Sequence, residues 1–304
     1  MIEQAAGGQA SLPFRSRIDR PIFIVSTPRS GSTLLFETLA QAPGLFTTGM
    51  ESHGLIERIP GLSPGDHGWQ SNRLTAAEAT AERVDALARA FFAKLSDRDR
   101  QSAGERVRML EKTPKNALRV PFFDAAWPDA TFVYLYRDAR QAIASMIEAW
   151  LFGRFRTYPR LPGWKGQPWS LLLIPGWQRL VGQPLERIVA QQWATTTEVL
   201  IDDLSRLPEG RVRGIVFDEF VDAPQAVMRS LAESLGLPWD RCLGPQLPLS
   251  KTTVSRPGKE KWRVIEPVID AVWPLVEKAD AKARAFVESL RQADRPGGAV
   301  DSKT

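Results

Sequence analysis

PIFIVSTPRSGSTLLFETL, residues 21–39, decides the fold. Its first six residues (PIFIVS, 21–26) are apolar or small with several β-branched side chains, the composition of a strand buried on both faces. From Leu34 onward apolar residues recur at helical spacing. Between the two stands Thr27-Pro28-Arg29-Ser30-Gly31-Ser32-Thr33, a tight loop with one glycine. A strand, a Gly-bearing turn and a helix start aim successive backbone N–H groups at one point, which suits an anion. Gly31 permits close approach and an unusual backbone angle. Ser30, Ser32 and Thr33 add hydroxyls, and Arg29 adds a planar, permanently charged fork. The same residues also read as a plain turn with a helix cap, so the neighbouring loops must decide.

Working outward, short apolar runs at 107–110 (VRML), 131–136 (TFVYLY) and 212–216 (VRGIV) predict further buried strands. Helical periodicity predicts helices over 75–95, 139–150, 185–204, 224–235 and 264–290. Thr75-Ala76-Ala77-Glu78 suits a capping box, and Asp222 before Ala223-Pro224 suits a cap followed by a proline start. Strands alternating with helices imply an α/β fold, a P-loop-like parallel sheet flanked by helices, with ligands at the carboxyl ends of the strands. The loop is not a Walker A sequence, which needs GxxxxGK[ST], and no apolar run ending in Asp offers a clear magnesium ligand. A nucleoside triphosphate with its metal fits poorly.

Length and composition set the outer bounds. The chain has 304 residues, 43% of them hydrophobic, enough for one large core over 21–293 with tails at 1–20 and 294–304. A net charge of +5 favours an anionic partner. The single cysteine, Cys242, excludes an internal disulfide and suits a reducing compartment. The first 20 residues lack the apolar core of a signal peptide, and the longest apolar stretch, near 171–174, is far too short for a membrane span. A cytoplasmic location is expected.

Four segments lie in the same order as in a known family. TPRSGSTLL (27–35), RDARQAIAS (137–145, directly after TFVYLY), VFDEFVDAP (216–224) and SRPGKEKW (255–262) together resemble the sulfotransferase superfamily of the soluble bacterial type, whose donor is 3′-phosphoadenosine-5′-phosphosulfate (PAPS). The resemblance implies the sulfotransferase fold, PAPS as co-substrate, adenosine 3′,5′-bisphosphate as product, and no metal. It assigns Arg29, Ser30, Gly31, Ser32, Thr33 and Leu34 to the 5′-phosphosulfate, and Arg137 and Ser145 to the 3′-phosphate. Arg256, Gly258 and Lys259 would close over the latter. Elementary chemistry agrees: Arg137 can grip a phosphate with charge-assisted hydrogen bonds, and Ser145 follows about two helical turns on. Taken alone, Arg137-Asp138 would be a surface ion pair at a helix start.

Lys112, in EKTPKN (111–116), resembles the Lys-Thr or Lys-Ser of the family and joins the catalytic candidates with Arg29. Some relatives carry a catalytic His two positions later, where this chain has Pro114, so the base must come from elsewhere. LFTTGMESHGLIE (45–57) resembles the region where another branch, including bacterial and tyrosyl-protein sulfotransferases, carries a catalytic Glu. Glu51 is the match, with His53 two residues on as the alternative or as its partner; His67 reads as structural or exposed.

Residues 149–185 contain no Asp or Glu, five basic residues (Arg154, Arg156, Arg160, Lys165, Arg179) and Trp150, Trp164, Trp169 and Trp177. A lid or acceptor-binding insertion over about 150–185 is expected, against a folded aromatic cluster in which Arg stacks on Trp. The resemblance implies a small-molecule acceptor with a hydroxyl; the apolar content of this region favours an aromatic or lipid-like body for it over nucleic acid. Rival functions are a kinase-type P-loop enzyme, a non-catalytic nucleotide-binding protein and a basic RNA-binding protein.

Overall fold

The computed structural model describes residues 13–253 and 258–293. Seven strands occur among them: β1 (Ile22–Val25), β2 (Leu45–Phe46), β3 (Arg108–Lys112), β4 (Thr131–Tyr136), β5 (Arg156–Tyr158), β6 (Trp169–Ser170) and β7 (Val212–Val216). Five of them form one parallel sheet in the order β2-β3-β1-β4-β7. β1 pairs with β3 through Ile22–Leu110 and with β4 through Val25–Tyr134. All four β1 residues are buried because the sheet is covered on both faces. Phe23 and Val25 pack with Phe123, Trp127 and Phe132 on one side; Ile22 and Ile24 pack with Leu35, Leu39 and Phe220 on the other. From β1 the chain runs to β2 and β3 on one flank before crossing to β4 and β7 on the other, so the crevice beyond the end of β1 is a topological switch point.

The helices are α1 (Ser32–Leu39), α2 (His53–Ile56), α3 (Ala81–Phe92), α4 (Val120–Ala126), α5 (Ala139–Phe152), α6 (Leu185–Leu204), α7 (Phe217–Asp222), α8 (Pro224–Ser234), α9 (Glu266–Val272) and α10 (Glu277–Ala293). β4, β7 and α6 fall where the sequence predicts them. Other expectations need correction. Thr75 and Glu78 do form a capping box, but on a three-residue 3₁₀ turn; α3 starts six residues later, capped by the Thr80 hydroxyl. The expected helix over 264–290 is interrupted, and Pro267 and Pro274 each open a new helical segment because proline fits a first turn and not an interior. Asp222 ends α7, and Ala223 takes the cap position of α8. The expected tail at 1–20 is too long: Ile18 is buried and bridges Val107, and Phe14 packs on Phe92. Residues 1–12 and 294–304 lie outside the described residues.

In the 150–185 region, β5 and β6 pair antiparallel and the tryptophans form a core. Trp150, Trp164, Trp169 and Trp177 pack edge to face on one another, with centroids 4.9–6.1 Å apart. Each indole N–H is satisfied, that of Trp150 by Gln192 and that of Trp177 by the Trp69 carbonyl. Trp150, Trp169 and Trp177 are buried, so they present no platform for stacking bases. No helix among the described residues is long and apolar enough to cross a membrane.

Candidate active site

The loop after β1 takes the shape its residues allow. Gly31 has φ +89°, and a Cβ there would lie 2.1 Å from the Phe217 ring, so glycine is required twice over. Arg29 itself sits at φ +65°, a conformation few non-glycine residues adopt. Thr27 Oγ1 and Ser30 Oγ share a hydrogen bond of 2.8 Å, and both residues are buried. Ser30 therefore braces the turn from within, whereas Arg29, Gly31, Ser32, Thr33 and Leu34 line a cleft of about 1130 Å³.

Arg137, at the end of β4, lines the same cleft. Its Nη1 donates to the Arg29 carbonyl at 2.8 Å and its Nε to Gln141 Oε1 at 3.2 Å. The Phe217 ring centroid lies 4.7 Å from its Cζ. Gln141 in turn donates to Asp218 at 3.0 Å. Asp138 caps α5 through the Gln141 N–H, which fixes the helix that carries Ser145. Arg29 Nε donates to Ser145 Oγ at 3.3 Å, so the two arginines and the serine share one wall. Burial pushes the Arg137 guanidinium down to about 10, against the pull of Asp218, and burial also lowers Arg29. Neither arginine pairs with a carboxylate within 4 Å among the described residues, and both half-buried guanidinium groups line the cleft.

Glu51 and His53 line the cleft too. Lys112, at the end of β3, is almost wholly buried and donates to Glu51 Oε1 at 2.8 Å and to Thr33 Oγ1 at 2.9 Å. One ammonium thus ties the anion loop to the candidate base. His53 Nδ1 lies 3.8 Å from Glu51 Oε2. Burial, and then the charge of Lys115, lowers the His53 imidazole below its ordinary value. His67 is structural as expected, with Nε2 2.8 Å from the Gly61 carbonyl.

Gly258 lines the cleft, but Lys259 is exposed, lies off it and pairs with Asp222 at 2.6 Å. Arg256 lies outside the described residues. The segment before it touches the anion loop instead: the Thr252 carbonyl accepts from Arg29 Nη1 at 3.1 Å, and the Thr252 hydroxyl donates to Thr33 at 3.1 Å.

Sequence reasoning missed several participants. Lys115 lines the cleft and donates to Glu57 at 2.8 Å and to the Tyr158 hydroxyl at 2.7 Å; burial pushes its amine down to about 8. Its place three residues after Lys112 was the available signal. Gln141, four residues after Arg137, carried the ordinary i,i+4 signal of a helix face. Glu111, a carboxylate inside a strand, was quoted in its motif without a role.

Residues 21–241 match the model described as the sulfotransferase family. Protein-tyrosine sulfotransferase A of Caenorhabditis elegans is 24% identical over 254 residues, covering 78% of this chain and 58% of that protein. Protein-tyrosine sulfotransferase 1 of Danio rerio is 30% identical over 144 residues, covering 46% of this chain and 39% of that protein. The chain spans about half the length of the curated relatives it matches. Among solved structures, a sulfotransferase from Alicyclobacillus acidocaldarius superposes with a TM-score of 0.50 at 18% identity, over 91% of this chain and 100% of that one, a likeness of fold.

Proposed function

This chain belongs to the sulfotransferase family, and from that premise we propose that it moves a sulfuryl group from PAPS to an acceptor hydroxyl, without a metal and with Glu51 as base. Convergence carries the proposal: the ends of β1 and β4 bring Arg29 and Arg137 to one cleft that Glu51 also lines, and Lys112 at the end of β3 holds Glu51. The cleft suits a doubly phosphorylated nucleotide, because two half-buried guanidinium groups line it with no carboxylate within 4 Å among the described residues, and its loop admits only glycine at 31. PAPS would supply the sulfuryl group and a weakly basic phosphate to leave with the bonding pair.

Arg29 and residues 31–34 would hold the 5′ end, and Arg137 with Ser145 the 3′-phosphate. Glu51 takes the acceptor proton as the acceptor oxygen bonds to sulfur and the bridging S–O bond breaks in line. Lys112 aims Glu51 through its hydrogen bond and adds positive charge beside Thr33. His53, whose imidazole burial holds below its ordinary value, is the second group able to take a proton there.

The acceptor side supports an apolar partner. Leu151, Phe152, Leu249 and Val264 are 62–85% exposed, and all four line the cleft. Large side chains gathered at one mouth in water call for something that covers them. A hydroxyl-bearing acceptor with an aromatic or lipid-like body does so. The test is radiolabelled transfer from PAPS, with a chelator present, into phenols, hydroxylated lipids and sugars. Label in an apolar acceptor, unaffected by the chelator, is expected. Calorimetry showing equal affinity for adenosine 3′,5′-bisphosphate and 5′-AMP would remove the 3′-phosphate site and the proposal with it.

A further inference from the structure

Glu51 stands on a stretch that the sheet scarcely holds. β2 is two residues long, Thr47 adds one backbone bridge to Ser96, and Met50 is 71% exposed. Ser52, by contrast, is fully buried. Its N–H donates to Thr113 Oγ1 at 2.7 Å, and its hydroxyl donates to the Glu111 carboxyl. Thr113 Oγ1 donates to Glu111 Oε1 at 2.7 Å, and Asn116 Nδ2 to Glu111 Oε2 at 2.6 Å. Two adjacent residues of β3 therefore hold two adjacent residues of the loop, Lys112 gripping Glu51 and Glu111 gripping Ser52.

A carboxyl in such a place is expensive, since burial disfavours its charge and an apolar side chain would fill the space more cheaply. Glu111 is 2% exposed, does not line the cleft, and spends its hydrogen bonds on groups next to the site. Its partners sit on both sides of the gap, Ser52 on the loop and Thr113 and Asn116 beyond the strand end. We infer that Glu111 is a positioning residue for the transfer: through Ser52 it fixes the loop that carries Glu51, and so sets the angle and distance at which the Glu51 carboxylate meets the acceptor hydroxyl. The inference rests on Glu51 as the base.

A double-mutant cycle separates this role from a purely structural one. Glu111→Gln keeps the shape but weakens the clamp, and is expected to lower kcat about tenfold while the Kd for adenosine 3′,5′-bisphosphate stays the same. The alkaline plateau of the pH–rate profile should fall with it. In a Glu51→Gln background the same change should cost nothing further, because there is no base left to aim. Ser52→Ala cuts the link from the loop side and should reproduce both results should Glu111→Gln fold poorly. Losses that multiply in the double variant, or a nucleotide affinity that falls in step with kcat, would overturn the inference. Full activity in Glu51→Gln alone would instead bring down the choice of base, and this inference with it.

Discussion

The two sides of the cleft are made in opposite ways. The proposed donor side comes from short contiguous segments, each at the end of a neighbouring parallel strand: 27–35 after β1 and 137–145 after β4. The proposed acceptor side is assembled from the end of α5, residues of β5, Leu171 and Leu172, and the exposed Leu249 and Val264. Its inner wall is braced by buried indoles and its rim is exposed aliphatic and aromatic surface. The first is a charged grip whose parts hold one another: Arg137 bonds to the Arg29 carbonyl and Arg29 to Ser145. The second is a shape with few polar fixtures. Charge recognition here is local in sequence, and shape recognition is not.

If the division is real, variants on each side should change different constants. The largest effect is expected at the junction. Glu51→Gln should cut kcat about 10²–10⁴-fold, the usual contribution of a general base, and leave bisphosphate affinity intact in calorimetry. Next, Arg137→Ala should weaken bisphosphate binding by roughly 1.5–3 kcal/mol, the size of a charged hydrogen bond, with little change in acceptor KM. A parallel change in both constants would break the comparison. Third, the pair Leu151→Ser and Phe152→Ser should raise KM for apolar acceptors about tenfold, from lost apolar contact, and leave the bisphosphate Kd unmoved. An unchanged KM would move the acceptor away from this rim.

The smallest effect concerns stability. His53 is lowered by burial first and by Lys115 second, so the native chain gives up that proton at a lower pH than the unfolded chain does. In the window between the lowered value and the ordinary 6.5, the unfolded state holds more protons, and stability falls as pH drops through it. His53→Gln should flatten that acid-side decline in denaturant titrations. An identical slope would show that other groups dominate it.

Much of this was legible in the sequence, for identifiable reasons. β4 and β7 are apolar runs framed by polar or turn residues, and α6 carries helical spacing through 20 residues without a proline. That Arg29 and Arg137 line one cleft follows from their places in loops directly after buried strands. Misses occurred where tertiary contacts overrule local pattern. Lys259 looked like a phosphate ligand but is drawn to Asp222 at the surface. Ser30 looked like a ligand hydroxyl, and Thr27 claims it. Glu111 was invisible because its partners, Ser52 and Asn116, come from both directions in the chain. The prolines in 264–290 were visible, yet the apolar periodicity spanned them and hid the breaks.

Phe217 has a consequence beyond packing. Its ring fills the space beside Gly31 and also lies against the guanidinium of Arg137, so one aromatic plate bears on both grips. A side chain added at position 31 would shove that plate toward Arg137. On the proposed reading, damage at one end of the nucleotide would then be felt at the other, and the two ends could not be tuned separately.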